Sequence, residues 1–386
     1  MGATSVYGRR DIALIRFVFF VQPLILGAWF PRLAEVQQAI GAGEAAFAIA
    51  LTGMSIGIVG SLVFASRLVA RYGLKCVFLA SFCAFLSSMP LASLAPTIGW
   101  LFAALVLVGA SLGAVELGMN VTADAIERRC GRLIMSSCHG FWSSGVLVGS
   151  LIGSSFAWIG ASPAQSLFSL AIAVALPCLW ATWSLPNVAE PDGDNSATPG
   201  RLRLTGSLLA ICCFLFGMAM TEGAMADWSA IYLRDVFALG PGPSGFGYVL
   251  FALFMAMGRF LGDTMRSRLG AGRTARLCVS VAVGGGILLL IAPHAEIALI
   301  GFGLAGLGVS TGFPLAITAA AEQDGANPTS NVALVTQIGI AGFIVGPLLI
   351  GFIAEPFGIQ LGLAAVLPLL GISLAFSGAV RQRSGL

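Results

Sequence analysis

Residues 187–203 read NVAEPDGDNSATPGRLR, the longest polar stretch in a chain that is otherwise 58% hydrophobic and only 10% charged. Its Pro, Gly, Asp, Asn and Ser content marks a linker. On either side of it run apolar segments of the length a membrane-spanning helix needs, about 20 residues. Before the linker they fall at residues 12–30, 45–66, 76–94, 100–121, 137–159 and 167–185. After it they fall at residues 206–225, 244–262, 277–291, 297–319, 332–354 and 361–380. The expected fold is therefore an all-α membrane protein, with twelve transmembrane helices in two pseudo-symmetric six-helix bundles. Residues 1–186 form the first bundle, 187–203 a cytoplasmic linker and 204–386 the second bundle.

Composition supports the same class. Mean hydropathy is +0.94, and soluble domains carry about 25% charged residues. A soluble core cannot absorb this apolar excess, because much of the surface would still face water. The formal charge of +3 is too small and too scattered for a nucleic-acid partner. None of the eight cysteines falls in a segment assigned to the outside, so no disulfide framework is expected. No CxxC or His-rich cluster suggests a metal. Arg9, Arg10 and Arg16 before an apolar run resemble a signal peptide. Phe30-Pro31-Arg32 follows in place of a small-residue cleavage site, and we read an uncleaved first helix.

Charge and repetition test the helix count. With the N-terminus in the cytoplasm, all of the 20 basic residues except Arg32 and Arg234 fall on the cytoplasmic side. The positive-inside rule requires such asymmetry, and a miscounted helix would scramble it. Both termini are thus expected in the cytoplasm, with the chain in the inner membrane. The two halves also echo each other. Arg71 and Arg268 stand 197 positions apart, as do Gly73 and Gly270, Gly109 and Gly306, Gly145 and Gly342, and Gly149 and Gly346. Parallel six-helix repeats place a solute site at their interface near the bilayer midplane.

Several motifs give this architecture a family resemblance. SRLVARYGLK at 66–75 resembles the G-x-x-x-D-R-x-G-R-R/K loop of the major facilitator superfamily, and GDTMRSRLG at 262–270 echoes it. Arg71, Gly73, Lys75, Arg268 and Gly270 match, whereas the acidic position is Ala70 in one copy and Ser267 in the other. The resemblance implies alternating access, with the loop latching the cytoplasmic side. Arg71, Gly73, Arg268 and Asp263, the nearby acid able to replace the missing one, are the latch candidates. EGAMADWSAIYL at 222–233 and IMSSCHGFWSSG at 134–145 resemble an uncharacterised bacterial inner-membrane branch similar to the fucose–proton symporters. ELGMN at 116–120 is similar to the E-x-x-x-N pattern of their fourth helix.

Chemistry would rest on the few polar groups inside apolar segments. Ionised carboxylates cost roughly 2.5–3.5 kcal/mol in a helix centre on insertion scales, so they face a cavity, find a partner or hold a proton. Glu116, Glu222 and His139 are the proton-coupling candidates. The competing readings are an interfacial pairing of Glu116 with Arg128 or Arg129 and a satisfied interfacial His139. Gln22, Asn120, Trp142, Trp228, Thr336 and Gln337 are cavity candidates, against interhelical hydrogen bonding or packing. Glu222 is read near the outer end of the seventh helix, with Asp227 beyond it and Gly223 weakening the helix between. An Arg32–Asp227 ion pair is a candidate outer gate, and a local Arg32–Glu35 pair is its rival.

No P-loop, nucleophile elbow or zincin helix occurs, so neither a cofactor nor enzymatic activity is expected. The resulting expectation is a monomeric secondary transporter for a small polar solute, sugars among the candidates, with protons as co-substrate. An efflux antiporter is the alternative within the class, and a membrane sensor without transport the alternative outside it.

Overall fold

The computed structural model describes residues 3–187, 204–323 and 328–381 of the 386-residue chain. The expected linker at 187–203 lies outside these residues except for Asn187. The described residues form α1 (Ala3–Trp29), α2 (Leu33–Ile40), α3 (Glu44–Tyr72), α4 (Leu74–Ala92), α5 (Ile98–Cys130), α6 (Met135–Trp158) and α7 (Pro163–Ser184). They continue with α8 (Gly206–Phe237), α9 (Pro241–Leu269), α10 (Ala271–Ile291), α11 (Ala295–Val309) and α12 (Gly312–Ala321). The last are α13 (Pro328–Phe357), α14 (Ile359–Ala364) and α15 (Val366–Phe376).

Among the described residues, eleven helical spans are long and apolar enough to cross a membrane. They count α1 with α2, α11 with α12, and α14 with α15 as one each. The segment missing from those spans is α6, whose 24 residues carry many Ser and Gly. At 1.5 Å per residue it still reaches about 36 Å, more than the hydrocarbon thickness of about 30 Å. With α6 the bundle has the twelve spanning segments expected.

Two spans are broken for a visible reason. Pro314 is the third residue of α12 and Pro368 the third residue of α15. A proline offers no N–H to the carbonyl four residues earlier and clashes with it, which ends the preceding helix near Ser310 and Ala364. The seventh span differs in the opposite sense. Its expected end at Met225 is passed by three turns, and α8 runs unbroken through Gly223 to Phe237. Glu222 therefore sits mid-helix instead of near an outer end, and Asp227 lies within the helix instead of past it. Gly223 serves packing, since a Cβ there would come within 2.9 Å of the Phe343 ring.

The chain divides into two compact units, one holding α1, α2, most of α3 and α4–α7, the other α8–α15 together with Gly43–Ala48. Each unit repeats the same packing. In the first, α1 lies along α6, α4 along α5, and α7 covers α1 and α4. In the second, α8 lies along α13, α10 along α11, and α15 covers α8 and α10. The echo extends to single atoms. A Cβ on Gly109 would run into the Met54 carbonyl, and one on Gly306 would run into the carbonyl of Phe251, 197 positions after Met54. The turns repeat as well: Gly73 has φ 79° and ψ 150°, and Gly270 has φ 80° and ψ 155°. That left-handed φ favours glycine, which has no Cβ to clash.

Because Gly109 meets backbone that cannot yield, Gly109→Ala is expected to destabilise the first unit by about 1–3 kcal/mol, the usual cost of overpacking. Gly99→Ala, on the same helix with nothing within 4 Å of the new Cβ, is the control and should melt like the parent chain in detergent.

Candidate functional site

Polar groups inside an apolar bundle are placed by helix length and register, and in the first unit the candidates lie on α1, α5 and α6. Glu116 lies midway along α5 and is half-buried. Its neighbours on the same helix are already engaged. The Asn120 amide donates to the Glu116 backbone carbonyl at 2.9 Å. Asp124 pairs with Arg128 at 2.5 Å in an exposed contact. Glu127 accepts the N–H groups of Ile134 and Met135 at 2.7 and 2.9 Å. It thereby caps the start of α6, where orphan donors and the helix dipole favour an acid. Glu116 alone of these acids has a carboxylate with neither an ion pair nor a hydrogen bond among the described residues.

Gln22 and Trp142, picked out separately in the sequence, meet. Gln22 is wholly buried on α1, and its Oε1 accepts Trp142 Nε1 from α6 at 3.2 Å. Because an indole only donates, this contact fixes the amide orientation and leaves Gln22 Nε2 with no hydrogen-bond partner among the described residues. Trp142 itself is half-buried. His139 lies one turn before it, exposed, with its ring edge-to-face against Phe19 at 5.5 Å.

Arg32 is wholly buried at the end of the 3₁₀ turn that follows α1. Its guanidinium donates to both Glu35 oxygens at 2.5 and 2.8 Å, to Ser166 Oγ at 2.9 Å, and to the carbonyls of Ala161 and Gly153 at 2.5 and 3.4 Å. It thus ties α1 to the end of α6 and the first turn of α7. Among the described residues its charged partner is Glu35, the local pairing.

In the second unit the Glu222 carboxylate on α8 meets Arg259 Nη2 on α9 at 3.3 Å, with side chains 21% and 30% exposed. Arg259 was counted from the sequence as a cytoplasmic charge; α9 runs ten residues beyond it and places it within the span. Tyr248 of α9 is buried within electrostatic reach of Glu222, Arg259 and Asp227. Asp227 is half-buried and forms no ion pair among the described residues. Trp228, a cavity candidate with packing as its rival, is wholly buried and edge-to-face with Phe47 at 6.3 Å. Thr336 is half-buried and Gln337 exposed on α13.

The latch candidates lie at helix ends. Arg71 is exposed with its guanidinium 5.3 Å from the Tyr72 ring. Asp263 and Arg268 are exposed near the end of α9, and neither joins an ion pair among the described residues. Arg259 and Tyr248 were missed from sequence. The signal that could have found Arg259 is its distance from the other arginines, seven residues before Arg266 and inside an apolar run.

Comparison with known proteins adds four findings. The model of the Major Facilitator Superfamily matches residues 13–336. An uncharacterized MFS-type transporter of Yersinia pestis is 31% identical over 370 residues, covering 95% of each chain. Among solved structures, a bacterial homolog of the human lysosomal transporter Spinster superposes over 100% of both chains with TM-score 0.75 at 14% identity. The E. coli fucose:proton symporter FucP covers 96% of this chain and 98% of its own, with TM-score 0.59 at 16% identity. These two similarities concern the fold.

The buried Arg32 cluster yields a prediction of its own. Removing one partner of a buried pair strands the other, at a cost of about 3–5 kcal/mol. Arg32→Met should therefore lower the unfolding midpoint in detergent sharply, whereas Arg71→Met, at an exposed position, should leave it close to that of the parent.

Proposed function

Since the chain belongs to the Major Facilitator Superfamily, we propose that it moves a small polar solute by alternating access, coupled to protons, across the inner membrane with both termini in the cytoplasm. Transport itself follows from the family. The observation that carries the coupling is Glu116: a half-buried carboxylate in the middle of a spanning helix, among acids that are otherwise engaged.

The physical reasoning is one of cost. A permanent negative charge at that depth is disfavoured by roughly 2.5–3.5 kcal/mol on insertion scales, and a proton removes the charge. A carboxyl that meets water on one side and hydrocarbon on the other is thus able to load and release a proton as access alternates. Gln22 supports a polar solute in the same unit, because its unpartnered amide N–H would donate to a hydroxyl or carbonyl oxygen. Trp142 beside it offers an aromatic face. In the second unit Arg259 offsets the charge of Glu222, which makes Glu222 a weaker coupling candidate than the sequence suggested and leaves Asp227 as the acid there without an ion pair. The orientation rests on the distribution of arginine and lysine, which favours the cytoplasm for the ends carrying Gly73 and Gly270.

The test is a reconstituted system. Proteoliposomes with an internal pH reporter are presented with sugars, other polar metabolites and drugs. A solute that drives a pH change identifies cargo, and the sign of the change separates symport from antiport. Glu116→Gln should abolish the pH change while leaving the protein folded. Proton-coupled uptake that persists in Glu116→Gln would remove Glu116 from the role.

A further inference from the structure

A groove of about 770 Å³ opens on the outer surface of the first unit, between the start of α4 and the end of α7. Its floor is a stripe of α4 residues, Cys76, Leu79, Ala80 and Cys83, spaced three or four apart so that they share one helix face. Its wall is Trp180 and Trp183 of α7, both exposed. No Asp or Glu is among the lining residues.

Cations stand at one end of this apolar channel. Lys75, the second residue of α4, donates from Nζ to the Leu185 carbonyl at 2.9 Å and sits 5.4 Å from the centre of the Trp183 ring. Arg71 sits 5.3 Å from the ring of Tyr72, which also lines the groove. An ammonium carries three N–H donors, so the bond to Leu185 leaves donors for a further acceptor. Both cations are at the ends of spanning helices, where lipid headgroups lie, while the floor and wall run into the span. Tryptophan and tyrosine at that level fit the headgroup boundary.

We propose that this groove is a binding site for an anionic phospholipid, with an acyl chain along Leu79, Ala80 and Cys83 and the phosphate on Lys75. The concave floor and the fixed ammonium distinguish it from general lipid contact along the other helices. Anionic lipids enrich the cytoplasmic leaflet, which agrees with the orientation proposed above, although the assignment holds in either leaflet. The site is separate from Glu116, which lies midway along α5, and does not depend on the identity of the solute.

Native mass spectrometry of the full chain in detergent tests it. Phosphatidylglycerol should be retained several-fold better than phosphatidylcholine of the same acyl chains, and Lys75→Ala and Trp183→Ala should each reduce that preference. Lys75→Arg should keep it, which guards against a folding defect in the alanine variant. Equal retention of the two lipids would overturn the proposal, as would an unchanged preference in Lys75→Ala. Full displacement of the lipid by soluble glycerol 3-phosphate would also overturn it, because the apolar groove would then contribute nothing.

Discussion

Close approach of helix backbones is the constraint on which the rest of this structure depends. In hydrocarbon, apolar side chains gain nothing by leaving lipid for one another, so helices associate through tight packing and polar contacts. Here α1 is drawn onto α6 because Gly145, Gly149 and Gly153 face the carbonyls of Phe20, Leu24 and Ala28, where any Cβ would collide with backbone. Gly57 and Gly109 do the same between α3 and α5. In the second unit Gly342 and Gly346 face Phe216 and Met220 of α8 with more room, the added Cβ falling 3.1–3.3 Å from its nearest neighbours. The seam between α8 and α13 is therefore looser than its counterpart, although the two descend from the same positions of the repeat.

These seams determine where polar side chains can go. With α1 pressed against α6, Gln22 is wholly buried and takes Trp142 as its partner across the interface. At the end of the same seam, Arg32 is buried with five acceptors, and its charge is matched by Glu35. Arg32 therefore contributes to cohesion of one unit. The Glu222–Arg259 pair is different in kind: its partners are each partly exposed and separated by 3.3 Å. Glu116 has no such compensation among the described residues, which is why the proposed coupling role falls to it.

The architecture was legible because it depends on quantities a sequence carries openly: apolar length, the side on which Arg and Lys accumulate, and repetition at a fixed offset. The two breaks near Ser310 and Ala364 were also written in the chain, at Pro314 and Pro368, but an apolar run hides them unless proline geometry is weighed. The candidate site was less legible. Gln22 and Trp142 were identified singly, yet their pairing depends on the register of two helices 120 residues apart. Arg259 was counted from the sequence only among the cytoplasmic charges, and its pairing with Glu222 depends on the register of α8 against α9. Trp228 was a cavity candidate with packing as its rival, and which of the two applies depends on helix register: Asp227 is half-buried while Trp228, about 100° round the helix, is fully buried.

The loop motif shows how one short segment can hold two separable jobs. Its glycines keep their structural task in both halves, since Gly73 and Gly270 adopt nearly the same left-handed φ and each starts the following helix directly. Its acidic position does not keep the task the family resemblance implies. Ala70 has no charge to offer, and Ser267 turns its hydroxyl back to the Thr264 carbonyl at 2.9 Å. The turn is thus preserved without the acid that accompanies it in the motif. What remains at the end of α3 is cationic and aromatic, with Arg71 beside Tyr72 and Lys75 beside Trp183. A segment of that chemistry has no carboxylate of its own to satisfy, and it is free to face the headgroups of the bilayer.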